Sequence, residues 1–148
     1  MSTEREYPLA PIVGVGGIII SGERVLLIRR GTDPGKGSWS IPGGKLELGE
    51  TLLDGVQREL LEETALQVRV VGLVEVFERI SMDAESRVQH HYVIVDYLCE
   101  ADSGEARAAS DVADVAWVTE SQLAEYSLTA AALQAIRKAF QMARGAGK

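Results

Sequence analysis

The run Thr51-Leu-Leu-Asp-Gly-Val-Gln-Arg-Glu-Leu-Leu-Glu-Glu63 places Leu52, Leu53, Val56 and Leu60 at a spacing that predicts a helix. Thr51 or Glu50 is the expected N-cap. At about 100° per residue the four apolar residues fill an arc of about 100°, which predicts the face turned to the core. With Leu52 at zero, Glu59 falls at about 340°, Glu63 at about 20° and Glu62 at about 280°, so two of the three carboxylates overlap or border that arc. A glutamate-rich helix is ordinarily a solvated face. Here, however, like charges at i,i+4 repel, and carboxylates beside a buried stripe are costly without compensation. Arg58 alone cannot neutralise three acids. A hard divalent cation such as Mg²⁺, which takes carboxylate oxygens and bridges to phosphates, would resolve the conflict.

Outward from the helix, Pro42-Gly43-Gly44 and Glu47-Leu-Gly-Glu50 precede it, with glycines that let backbone groups approach a ligand closely. Residues 41–48 therefore read as a bent, irregular strand. Ile12 to Ile20 and Arg24 to Arg30 are apolar runs flanking Ser21-Gly-Glu23, a pattern that predicts a hairpin. Gln67 to Ser81, Arg87 to Glu100 and Val112 to Val118 are further expected strands. Thr119 with Gln122 forms a capping-box pattern for a short helix, and Thr129 to Arg144 reads as a closing amphipathic helix. The expected fold class is α/β in the α+β sense, a mixed sheet sandwiched between helices. The length of 148 residues suits one domain spanning 1–148.

Composition narrows the function classes. A net charge of −7 opposes general nucleic-acid binding. The longest uncharged apolar stretch near the start, Pro11 to Ile20, is about half the ~20 residues a membrane span needs. The opening Met-Ser-Thr-Glu-Arg-Glu carries acids where a secretory signal carries positive charge, so a cytoplasmic protein is expected. Cys99, the single cysteine, permits no intrachain disulfide and reads as a buried strand residue. The acids concentrate instead between Gly44 and Thr64, where Glu47, Glu50, Asp54, Glu59, Glu62 and Glu63 face only Lys45 and Arg58. An acidic protein can bind a polyphosphate through such a site by way of Mg²⁺.

Gly44-Lys-Leu-Glu-Leu-Gly-Glu50, seven residues, then Arg58-Glu-Leu-Leu-Glu-Glu-Thr-Ala-Leu66 resembles the Nudix box. One specified position departs: Ala65 stands where the box has glycine, the usual residue for a left-handed helix end, which puts the path after Glu63 in question. The resemblance implies the Nudix fold and Mg²⁺-dependent hydrolysis, with Mn²⁺ as an alternative ion, of a nucleoside diphosphate linked to another moiety. Carried over by position, Glu59 and Glu63 are the principal metal ligands, Glu62 contributes directly or through water, the Gly43 carbonyl completes the shell and Arg58 orients Glu59. The general base in this family is a box glutamate or an acid in a later loop. Glu59 and Glu62 answer to the first, and Asp111 to the second, with Asp114 and Glu105 as rivals. ADP-ribose or a similar compound is the favoured substrate, on the likeness of the strands from Pro8 to Arg30 and the loop leading to Trp39. A MutT-like (d)NTP pyrophosphatase is the runner-up, and a nucleotide sensor without hydrolysis the third reading. Many members pair as dimers, so both a homodimer and a monomer stay open.

Several residues outside the box are candidate substrate contacts. Arg29, Arg30 and Lys36 could meet phosphates, though solvated charges at a strand end and loop explain them as well. Trp39 could cover the site or pack the loop, and Phe77 could line a pocket or the core. Gly31 to Ser40 fails as a P-loop by spacing and by Gly37 where Ser or Thr should follow the lysine. His90 and His91, adjacent on an expected strand, point to opposite faces and cannot share a metal.

Overall fold

A computed structural model describes residues 5–33 and 35–146. The start of the N-terminal segment, Met1 to Glu4, and Pro34 of the turn-rich loop lie outside the described residues. Strands β1 (Ile12–Ser21) and β2 (Arg24–Arg30) form the expected hairpin, joined through Gly22 in a left-handed conformation. They pair only at Ile20 with Val25 and Ser21 with Arg24. Beyond that point the strands diverge, and the segment carrying β3 (Trp39–Ser40) and β4 (Gly43–Lys45) enters between them. β3 pairs with β2 at Ile28 and Arg29, while β4 pairs with β1 at Gly14 to Gly16. The irregular strand expected over 41–48 is thus paired over three residues only. Pro42 has no N–H to give, and its carbonyl instead accepts from the Gly17 amide at 3.0 Å.

Helix α1 (Leu52–Thr64) follows, then β5 (Gln67–Met82) and β6 (Val88–Ser103), a long antiparallel pair. β6 runs parallel to β1 from Ile12 with Tyr92 to Ile19 with Cys99, and β7 (Val112–Thr119) pairs antiparallel with β2. The result is a seven-stranded mixed sheet. A 3₁₀ turn over Glu120–Tyr126 and helix α2 (Ala130–Ala146) close the described chain. In the turn the Thr119 amide donates to Gln122 Oε1 at 2.9 Å, in keeping with the capping pattern.

Alternation along the strands builds the two cores. Ile18 and Ile20 of β1, Val25 and Leu27 of β2 and Leu98 of β6 point to one side and pack against Ile136 and Phe140 of α2. Val15, Ile19, Leu26, Val95 and Cys99 point to the other and pack against Val56 and Leu60 of α1. The sheet therefore lies between the helices, and each fully buried Leu or Ile contributes roughly 1.5–3 kcal/mol. Leu60 seats against bare backbone at Gly17, where any side chain would collide with it. Leu53 corrects the helical wheel: it is 48% exposed, at the outer border of the apolar arc, where the sheet no longer covers α1. Cys99 is buried in its strand, and burial pushes its thiol up to about 12. Among the described residues no helix is long and apolar enough to cross a membrane.

Candidate functional site

The cap of α1 settles which residue starts it. Thr51 is extended, and its Oγ1 accepts from the Asp54 amide at 3.1 Å. Glu50 is thereby free for another partner. Its two carboxylate oxygens receive Arg58 Nε at 2.6 Å and Nη2 at 2.9 Å, a two-point pair across two turns of helix. This pairing, with the Glu47 amide, holds the Glu50 carboxyl down at about 2 and pushes the Arg58 guanidinium up. Arg58 also donates to the Lys45 carbonyl at 3.2 Å and, through Nη1, to Glu59 at 2.9 Å and Glu62 at 3.3 Å. One guanidinium thus ties the helix to the loop before it and orients Glu59.

The glycines of β4 receive the other carboxylates. A Cβ at Gly44 would collide with the Glu59 carboxylate, so glycine is the residue that lets Glu59 lie against this strand. The Gly43 amide donates to Glu63 Oε1 at 2.9 Å. Burial pushes both acids up, Glu63 to about 7; the Gly43 amide opposes the rise of Glu63, and the nearby Glu59 and Asp111 add to it. Asp111 comes from the turn before β7, where its carbonyl accepts from the Gly31 amide at 2.9 Å. A recess of about 10 Å³, room for one water-sized occupant, is lined by Glu63, Asp111, Arg30, Thr32, Ile28 and Val112. The rivals of Asp111 as the late acid stand elsewhere: Asp114 caps the Val115 amide at 2.8 Å, and Glu105 lies exposed.

The remaining sequence candidates divide by face. Arg30 shares the recess, whereas Arg29 turns to the α2 side and lies over the Trp39 ring at 5.9 Å. Trp39 in turn meets Tyr126 edge-on at 5.1 Å, so it packs on the face opposite Glu59 and Glu63. Phe77 pairs with Ile94 and shares the face of Asp96, half-buried. Lys36 is exposed in the loop, with its amide facing Asp33. The Glu62 side chain is 51% exposed and is drawn to Arg58. Among the described residues no three acidic, histidine or cysteine side chains are already gathered for an ion. Mutual repulsion of the acids and the pull of Arg58 on Glu62 account for that arrangement. The donor set fits Mg²⁺ chemically: hard carboxylate oxygens, two of them half-buried with raised protonation, beside a recess of ion size. His90 meets Ser81 at 2.8 Å and stacks on Tyr92, apart from these acids.

The pairing of Glu50 with Arg58 and the buried Asp96 escaped the sequence reading. Glu50 lies eight residues from Arg58, too far for the helix spacing rule to pair them across a loop–helix junction. Asp96 is 2% exposed, and its signal was a lone charge inside Val93-Ile-Val-Asp-Tyr-Leu-Cys99.

The helix–loop–strand constellation of glutamates on a mixed sheet between two helices defines a class, and the comparisons agree with it. The family model described as NUDIX domain matches residues 10–139, and the chain belongs to the Nudix family. It is 33% identical over 128 residues to a "MutT-like protein" of Streptomyces ambofaciens, covering 84% of this chain and 76% of that one. It is 38% identical over 103 residues to an "ADP-ribose pyrophosphatase" of Methanocaldococcus jannaschii, covering 70% of this chain and 59% of that relative's length. A MutT NUDIX hydrolase from Burkholderia pseudomallei superposes with a TM-score of 0.76 at 32% identity, over 87% of this chain and 98% of its own. Members of this family act as pyrophosphohydrolases and use divalent metals.

Proposed function

We propose that this chain, taken as a single Nudix domain, is a Mg²⁺-dependent pyrophosphohydrolase acting on a nucleoside diphosphate linked to another moiety, with ADP-ribose the favoured substrate. The observation that carries this reading is the convergence of Glu63, Asp111 and Arg30 on one recess beside Glu59. Similarity to an ADP-ribose pyrophosphatase supports the substrate, and similarity to MutT-like proteins supports a (d)NTP as the second reading.

In this mechanism Glu59 and Glu63, with Glu62 and the Gly43 carbonyl, would hold the ion. Bound there, it would supply charge to offset that of the pyrophosphate and to acidify water. Arg58 keeps Glu59 directed at the site, and Arg30 faces the phosphate oxygens. Asp111, on the far wall of the recess, takes a proton from the attacking water as its oxygen bonds to phosphorus and the phosphoanhydride P–O bond breaks.

The test is a panel of ADP-ribose, dNTPs and dinucleoside polyphosphates, with and without Mg²⁺, in water labelled with heavy oxygen. Mg²⁺-dependent conversion of ADP-ribose, with the label in a single product, supports the reading. Turnover confined to dNTPs would move the assignment to the second reading, and binding without turnover would replace hydrolysis by a sensing role.

A further inference from the structure

One edge of the sheet is open. Among the described residues β5 pairs with β6 alone, so its outer row of backbone amides and carbonyls has no strand beside it. Early in the strand the pairing is interrupted by register shifts, between Gln67 and Val68, Val70 and Gly72, and Leu73 and Glu75. From Glu75 to Ser81 it runs unbroken, and this stretch holds neither proline nor glycine. A regular, open edge is a template for another strand unless bulges, prolines or charges blunt it. The charges here are Glu75, Glu78 and Arg79. Glu75 is half-buried and Arg79 exposed, and among the described residues neither side chain makes an ion pair. They lie on the same face as Phe77, but residues four apart in a strand stand about 13 Å from one another, too far to pair within one chain.

We propose that β5 is the contact between two copies of this chain, which pair edge to edge and antiparallel about a two-fold axis at Phe77. In that register Glu75 of each copy lies opposite Arg79 of the other, and the two ion pairs flank Phe77 set against its own counterpart. Opposite charges and aromatic rings directly across neighbouring strands stabilise a sheet, whereas like charges destabilise it. The contact is isologous, so each pair occurs twice. Other two-fold registers lose this match. A centre at Glu78 sets that acid against itself, and a centre at Val76 sets Glu75 against Phe77 and Arg79 against Leu73. Centres at Glu75 or Arg79 oppose like charges in the same way. On the other face of β5, Val76 and Ile80 are 52% and 50% exposed. With the centre at Phe77, Val76 of one copy is diagonal to both Val76 and Ile80 of the other, a distance that such side chains span. Helix α2 packs over the opposite end of the strand, with Met142 against Gly72, and leaves the stretch from Glu75 to Ser81 clear.

The experiment is sedimentation equilibrium of the full chain, without metal or nucleotide, over about 1–300 µM, a range that brackets a small, reversible interface. We expect a monomer–dimer equilibrium within it. Glu75→Arg and Arg79→Glu each set like charges across both pairs and should weaken dimerisation about tenfold or more. Mixed in equal amounts, the two variants should associate with each other, because their reversed charges are complementary. The chain carrying both reversals should likewise regain most of the parent's affinity. Amide hydrogen exchange of the unaltered chain needs no variant to fold: alternate amides from Glu75 to Ser81 should slow as concentration rises. A chain that stays monomeric throughout, a dimer indifferent to both reversals, or reversals rescued by neither mixing nor combination would each overturn the proposal. Association is measured without Mg²⁺ or turnover, so its failure is distinct from failure of the hydrolase reading.

Discussion

The Arg58 guanidinium grips Glu50 at two points, 2.6 and 2.9 Å, while its remaining arm reaches Glu59 at 2.9 Å. The fork couples the loop before α1 to a candidate metal ligand. Lysine keeps the charge but not the planar fork, so it cannot hold both acids. Arg58→Lys is expected to lower activity and Mg²⁺ affinity about 10–100-fold, the usual cost of losing a ligand's supporting partner. Calorimetric Mg²⁺ titration of the variant checks this, and unchanged affinity would reduce Arg58 to a surface charge.

Ala65 occupies the position where the box has glycine, and the chain keeps the glycine's path: Ala65 sits at φ 65° and its amide donates to the Leu61 carbonyl at 3.0 Å. A left-handed conformation strains a residue with a Cβ by roughly 1–2 kcal/mol, partly offset by the greater freedom glycine has when unfolded. Ala65→Gly should therefore stabilise the protein by up to about 1 kcal/mol, or raise its melting temperature by roughly 2–4 °C. No rise on thermal unfolding would mean that the turn tolerates alanine without strain.

Glu63→Gln keeps the side-chain volume and retains an oxygen for the Gly43 amide, but removes a charge. Turnover should fall by ~10²-fold or more. Stability should move the opposite way in EDTA. The folded carboxyl sits at about 7, above its ordinary 4.5, so its stabilising contribution is full below about 4.5 and lost as the pH rises through about 7. At pH 8 the glutamine variant should melt no lower than the parent. Mg²⁺ at about a hundred times its Kd should stabilise the parent by about 2.7 kcal/mol and the variant much less. Equal Mg²⁺ shifts in the two proteins would remove Glu63 from the ligand set.

Asp111 and Glu63 line the same recess, while Asp114 spends its carboxylate on the Val115 amide, which makes Asp111 the candidate late acid. Asp111→Asn should cut kcat about 10²–10⁴-fold and remove the acidic limb of the pH–rate profile, with little change in KM. A retained acidic limb would transfer the proton-accepting role to Glu59 or Glu62.

What the chain discloses on its own follows from period and spacing. The apolar repeat of Leu52, Val56 and Leu60 and the capping Thr51 made α1 legible, and alternation made the long strands legible. Pairing was not: nothing in Ile12 to Ile19 says that its neighbour is Tyr92 to Cys99, far along the chain and parallel. Arg29 and Arg30 looked equivalent until β2 assigned one to Trp39 and the other to Glu63. Glu59 and Glu63 were legible by spacing, but the raised protonation of Glu63 depends in part on Asp111 arriving from β7's approach, a contact that sequence spacing does not encode.

Asp96 offers a pH-dependent stability test independent of any ligand. Its carboxyl sits at about 6, raised from 3.8 first by burial and then by Glu75. The folded chain therefore holds this proton more tightly than the unfolded chain, so the stability it contributes is full below about 4 and lost as the pH rises through about 6. A rise of that size corresponds to roughly 3 kcal/mol, an upper scale for a group that can draw in water once ionised. Asparagine has the same shape and no charge to bury. Melting curves of the parent and Asp96→Asn should accordingly converge near pH 4 and separate by several degrees at pH 7.5, with the variant higher. A gap that stays constant across this range would mean that the carboxyl ionises as easily inside the fold as outside it.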